Sequence, residues 1–145
     1  MHRVPLTILV LVALSGATFA LDAQERPVSL TLFDFDGNTP AWEVVNDGVM
    51  GGRSQGYVAI EGGTLRFTGT LVTRGGGFTS VRAERPVNLE GYGGLELRVR
   101  GGGRTFEVEV DDGTRRRGRS VSRRAPFTTG AEWQVVRVPF SVFRT

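Results

Sequence analysis

The sequence predicts an all-β protein, an antiparallel β-sandwich of the jelly-roll kind, on three observations. Apolar residues alternate with period two wherever a pattern is readable. Leu95, Leu97 and Val99 alternate with Glu96, Arg98 and Arg100, and Phe106, Val108 and Val110 alternate with Glu107, Glu109 and Asp111, so each segment offers one face to a core and one to water. No ten-residue window after the N-terminal segment carries the apolar period of a helix. The chain also holds 21 glycines, many of them paired or tripled between the alternating segments, which is the turn chemistry of a sandwich or jelly roll.

Taken in order, the chain opens with Arg3, an apolar run from Leu6 to Leu14, and small residues at Thr18 and Ala20 before a polar stretch. That pattern predicts a secretory signal peptide over residues 1–20, cut after Ala20, and places the protein in the periplasm or outside the cell. The run is short for a bilayer span. Residues 21–145 then form a single domain of about 125 residues, enough for one core. The predicted strands are Val28 to Phe35, Gly56 to Ile60, Thr64 to Thr70, Phe78 to Arg82, the two alternating segments above, Ser120 to Ala125 and Glu132 to Pro139. Glu61-Gly62-Gly63 is expected to join the second and third as a hairpin, and Gly101-Gly102-Gly103 to join the two alternating segments as another.

Absences exclude most chemistry. The chain has no Cys, and its one His, His2, lies in the predicted leader. The domain therefore has no means of building the usual zinc or copper sites, a thiol nucleophile or a histidine triad, and no disulfide supports its core. No cofactor, no metal and no catalysis are expected. The leader removes one of 18 basic residues and none of 15 acids, leaving a net charge of 17 − 15 = +2, which selects no partner.

Four stretches carry candidate sites. Trp42 to Ser54, WEVVNDGVMGGRS, runs a short apolar segment into two glycine corners. Asn46 and Asp47 offer side-chain oxygens to nearby backbone, Gly48 is expected to take a positive φ, and Val49 and Met50 are held between that turn and Gly51-Gly52. Either the corner meets a partner or Trp42, Val49 and Met50 belong to the core. Gly75 to Arg82, GGGFTSVR, delivers Phe78, Ser80 and Arg82 to one side of a strand, with Arg82 either a surface charge or paired with a carboxylate such as Asp47. Asp34 and Asp36 before Gly37-Asn38 have the oxygen chemistry of a calcium loop without the helix-loop-helix spacing, and read more simply as a solvated strand end. Arg115, Arg116, Arg117, Arg119, Arg123 and Arg124 make a cationic segment, read as a solvated hairpin tip or as a site for anionic headgroups or acidic polysaccharide. No aromatic is interleaved to stack bases, so no nucleic acid is expected.

One resemblance covers nearly the whole domain. Trp42 with Asn46-Asp47-Gly48-Val49-Met50-Gly51-Gly52 and Ser54, then Leu65-x-Phe67-x-Gly69, then Gly76-Gly77-Phe78-x-Ser80-Val81-Arg82, resembles the complex I intermediate-associated protein 30 family. Tyr92-x-Gly94-Leu95 and the later Phe127, Trp133 and Pro139-Phe140 continue the match, over about Leu32 to Arg144. The resemblance implies a galactose-binding-like jelly roll and a non-enzymatic role, that of assisting assembly of NADH:ubiquinone oxidoreductase. It carries over Asn46, Asp47, Met50, Gly51, Gly52, Phe78, Ser80 and Arg82 as a shared surface or structural signature. It also implies that the chain, ending at Phe143-Arg144-Thr145, is C-terminally truncated and lacks the last strand of the family's sandwich.

The leading expectation is a binding and assembly module for a protein partner, with Trp42 and the signature residues as its surface. The alternative is a carbohydrate-binding module in which Trp42, Trp133 or Tyr92 stacks on a sugar whose hydroxyls bond Asn46, Asp47 and Arg82. A membrane surface is admitted through the arginine segment. A hydrolase built on Asp36 and Asp47, or on Glu107 and Glu109, is the least favoured reading.

Overall fold

A computed structural model describes residues 29–37, 39–74 and 76–145, and the side chain of Val49 is outside what it describes. The predicted signal peptide, the start of the first predicted strand at Val28, and Asn38 and Gly75 therefore lie outside the described residues.

The fold is all-β and antiparallel, as the alternation predicts. Among the described residues eight strands form, β1 (Glu43–Asn46), β2 (Gln55–Glu61), β3 (Thr64–Thr70), β4 (Thr79–Arg82), β5 (Gly94–Val99), β6 (Thr105–Arg116), β7 (Arg119–Thr128) and β8 (Gln134–Pro139). They pair as four two-stranded ribbons, β1 with β4, β2 with β3, β5 with β8 and β6 with β7. Among the described residues no backbone ladder joins one ribbon to another.

Local chemistry accounts for the ribbons. Gly62 and Gly63 both take positive φ, 55° and 71°, the backbone of a two-residue turn whose twist matches the flanking strands. Glu61 accordingly faces Thr64, and the register runs unbroken to Gln55 opposite Thr70. In β5 and β6 the predicted apolar positions are half-buried and the intervening Glu96, Arg98, Glu107 and Glu109 are exposed.

Two expectations fail for physical reasons. Residues 29–35 form no strand. Asp34 Oδ1 accepts the Asp36 backbone N–H at 3.1 Å, and Phe35 takes a φ of 60°, so a local side-chain turn competes with a ladder and wins. Phe33 and Phe35 still share one side, with ring centroids 4.9 and 5.9 Å from that of Trp42. The hairpin expected between β5 and β6 is also absent. The N–H groups of Gly101 and Gly102 both donate to the Gly130 carbonyl, at 3.2 and 2.8 Å, and the Arg104 carbonyl accepts from the Thr129 backbone and hydroxyl. The glycine segment is thus tied to the β7–β8 corner, and β5 and β8 enclose the β6–β7 hairpin in sequence.

The buried core lies in this second half. Ala125, Val138 and Phe143 are its buried apolar residues, with Leu95, Leu97, Val108, Val110, Phe127, Val136 and Phe140 packed against them. These side chains bring the β5–β8 ribbon onto the inner half of β6–β7. Phe143 is fixed because Arg144 and Arg124 exchange both backbone hydrogen bonds, at 2.8 and 2.9 Å. Phe143→Ala is expected to cost about 3 kcal/mol in urea unfolding, whereas Val142→Ala, at an exposed neighbouring position, should stay within about 0.5 kcal/mol.

A candidate binding corner built on a buried carboxylate

β1 ends at Asn46 in an extended conformation, and Asp47–Met50 then make a single 3₁₀ turn that Gly51 stops with a φ of 79°. The left-handed residue is Gly51 and not Gly48, because Gly48 lies inside the turn and the reversal falls at its C-terminal end. The N–H groups of Gly51 and Gly52 close the turn onto the carbonyls of Gly48 and Asp47, at 3.0 and 3.1 Å.

Asp47 is 2% exposed. Its carboxylate accepts from the Ser54 backbone N–H at 3.0 Å, the Ser54 hydroxyl at 2.7 Å and the Phe78 backbone N–H at 3.1 Å. Its own N–H donates to the Phe78 carbonyl at 3.2 Å, which extends the β1–β4 ladder one residue past Asn46 opposite Thr79. Ser54 Oγ in turn accepts the Val72 N–H at 3.1 Å. One carboxylate therefore ties together the 3₁₀ turn, the segment leading into β2, the segment leaving β3 and the start of β4.

The neighbouring glycines make the space. A Cβ at Gly52 would coincide with the Asp47 carboxyl group, and one at Gly77 would collide with the Val72 carbonyl and stand 2.8 Å from Asp47 Oδ2. Asn46 repeats the arrangement on the other side: its Oδ1 accepts from the Gly56 N–H at 3.0 Å and from the Thr79 hydroxyl at 2.7 Å. The buried charge is met by neutral donors. The Ser54 hydroxyl is the largest influence on the Asp47 carboxyl; burial opposes it, and with the Ser54 and Phe78 N–H bonds the group is held below its ordinary value of 3.8.

The signature residues thus divide into those that face inward and those that are displayed. Asn46, Asp47, Gly52 and the Phe78 backbone form the knot. Ser54 and Gly77 belong to it equally and were not among the predicted site residues; their signal was a hydroxyl seven residues after Asp47 and a glycine directly before Phe78. Met50 is 80% exposed and the Phe78 residue 37% exposed. Ser80 bonds the Val45 carbonyl at 3.4 Å and accepts Arg82 Nε at 3.2 Å, so of the two readings of Arg82 the surface charge is the one observed, and no pairing with Asp47 is made. Trp42 is half-buried against Phe33 and Phe35, and its Nε1 is buried with no hydrogen-bond partner among the described residues.

The other candidates are scattered. The Trp133 ring carries the guanidinium groups of Arg98 and Arg100, 4.7 and 5.2 Å from its centroid, so two cations already occupy that aromatic. Asp36 is exposed beside the Gly63 turn while Asp47 is buried in its knot, and Glu107 and Glu109 lie on the exposed face of β6. Of the six arginines in the cationic segment, Arg123 is ion-paired with Asp112 and Arg124 stands 4.0 Å from Glu107, whereas Arg115, Arg116, Arg117 and Arg119 gather at the hairpin tip.

Two substitutions test the knot. Ser54→Ala removes a charge-assisted bond and strands the Val72 N–H, at an expected cost of about 1–3 kcal/mol in urea unfolding. Because the folded-state value of Asp47 is lowered, its contribution is fully present above pH 4 or so and is lost as pH falls through that lowered value. Asp47→Asn, unable to accept from all three donors, should be less stable at neutral pH, and the gap between it and the unsubstituted chain should narrow on acidification.

The family model described as complex I intermediate-associated protein 30 (CIA30) matches residues 32–145, a span that takes in the knot, both glycine corners and the C-terminal core. No curated protein and no solved structure matches the chain. With its match to the family model extending over most of its length, the chain belongs to the complex I intermediate-associated protein 30 family.

Proposed function

We propose that the chain is a non-enzymatic binding module that uses the Met50 and Phe78 corner to hold a protein partner, an intermediate of a complex I-like respiratory assembly, outside the cytoplasm. One observation carries this reading. Met50, a large apolar side chain 80% exposed, stands at the end of a turn whose first residue is locked from beneath by the buried Asp47 carboxylate. An exposed methionine on a rigid corner supplies adaptable apolar contact at little cost in backbone ordering. Phe78, bonded to Asp47 through both its N–H and its carbonyl, presents its ring from the same knot.

The remaining parts of the proposal have their own supports. The family description gives the association with complex I intermediates. A non-enzymatic role agrees with a domain that has neither Cys nor His and whose most buried carboxylate among the described residues is taken up by the Ser54 N–H and hydroxyl and the Phe78 N–H. The extracytoplasmic setting rests on the leader-like composition of residues 1–20. The galactose-binding-like sandwich is the arrangement we propose for the four ribbons. Carbohydrate binding is the weaker reading, because Trp42 packs into a phenylalanine cluster and Trp133 beneath two arginines.

The chain has no cysteine, so Met50→Cys provides one unique point for a photoreactive label. Labelled there, the chain is expected to cross-link to subunits of a membrane respiratory assembly in the extracytoplasmic fraction of its cells, while a label at exposed Tyr57 should not. The variant Met50→Asp, changed at a side chain that is 80% exposed, should melt at nearly the same temperature and lose about 10-fold in capture, as expected for an apolar contact at the centre of an interface. Undiminished capture by the folded variant would contradict the proposal.

A further inference from the structure

The β6–β7 hairpin has two unlike halves. Its inner half is packed, with Val108, Val110, Ala125 and Phe127 in the core and Arg124 bridged to Arg144. Beyond Asp111 the register shifts, and only the pairs Arg115 with Ser120 and Arg116 with Arg119 carry the ladder to the turn. Residues 111–120 are all exposed. At the corner, Arg117 and Gly118 have φ of 52° and 78°, a two-residue turn in which the first position ordinarily favours Asn, Asp or Gly. Here it holds an arginine.

Arg116 and Arg119 sit directly opposite one another, an arrangement in which like charges repel, and with Arg117 they line a single cleft to which no other residue contributes. Arg115, one residue earlier in the strand, belongs to the other face of the ribbon. The nearby acids are engaged at the register shift. Asp111 Oδ1 accepts the Gly113 N–H and Asp112 Oδ1 the Thr114 N–H, both at 2.9 Å, and Asp112 Oδ2 takes Arg123. Arg123 is the first cause holding the Asp112 carboxyl down at about 2, so that acid stays charged and committed to Arg123. Among the described residues no ion pair reaches the four tip arginines.

We infer that the tip is an anion-binding finger, in which Arg116, Arg117 and Arg119 dock the chain on the phosphate headgroups of an anionic lipid surface. An anion seated among the three guanidinium groups removes their mutual repulsion and is held by planar, forked donors. The finger is exposed along its outer half, so a plane of phosphates can reach all three cations. No aromatic residue occurs between Phe106 and Phe127, so the tip offers no stacking surface for a base or a sugar ring. This inference is independent of the Met50 and Phe78 corner.

The test is co-sedimentation with vesicles of phosphatidylcholine alone and of equimolar phosphatidylcholine and phosphatidylglycerol, using the full chain and its Arg116→Gln, Arg117→Gln, Arg119→Gln variant. Any apolar contribution from residues 1–20 is common to both chains and cancels in the comparison. The unsubstituted chain should bind the anionic vesicles, and less so as salt rises. With each arginine near the surface contributing about a fivefold factor, the triple variant should partition about a hundredfold less, while its thermal midpoint stays put because the tip is solvent-exposed. Equal partitioning of the two chains, or binding unchanged by salt, would overturn the inference. Tighter salt-sensitive binding to heparin or to a single-stranded oligonucleotide than to the anionic vesicles would overturn the assignment to lipid.

Discussion

A carboxylate buried without a cation must be met by donors, and in this chain that requirement organises the whole of the first half. Asp47 draws in the Ser54 N–H and hydroxyl and the Phe78 N–H, which come from segments seven and 31 residues away in sequence. A buried charge left short of partners is among the costlier faults a fold can carry, so the loop after the 3₁₀ turn and the entry to β4 have little freedom to move apart. Short ribbons of four residues, such as β1 with β4, are weak alone. The carboxylate anchors them where apolar burial is thin.

That division of labour explains why the two halves differ. In the second half apolar side chains converge on Ala125, Val138 and Phe143, and ribbons are held by packing. In the first half the two buried side-chain anchors among the described residues are polar, Asp47 and Ser54. Directional bonds hold geometry more narrowly than apolar contact does. A corner built this way keeps Met50 in place while leaving it in water, which is what a binding surface on a small domain needs.

Much of the fold was legible because alternation is a local property. The strands at residues 64–70, 94–99 and 134–139 follow from side-chain periodicity and glycine turns, and Gly62-Gly63 specifies its hairpin outright. Pairing across distance was not legible. Nothing local says that the triple glycine after β5 will bond to Gly130 rather than close a hairpin, since that choice depends on where β7 ends. The first predicted strand failed because Asp34 can satisfy backbone two residues on, an option that alternation does not register. At the site, the residues Asn46, Asp47, Gly52 and Phe78 were found by motif, but which of them face inward was not. Burial of Asp47 depends on donors supplied by Ser54 and Phe78, and the separation of Arg123 and Arg124 from the tip arginines depends on the register shift that brings Asp112 to Arg123.

Asp47, as a buried and ionised acceptor, holds the corner together through its three donors. A pH titration by NMR that follows the Asp47 side-chain carboxyl carbon together with the amide protons of Ser54 and Phe78 reads this out. The carboxyl should titrate below its ordinary value of 3.8, and both amides, shifted downfield at neutral pH, should move in step with it. An Asp47 that titrates in the ordinary range, with the two amides indifferent to its protonation, would contradict that role.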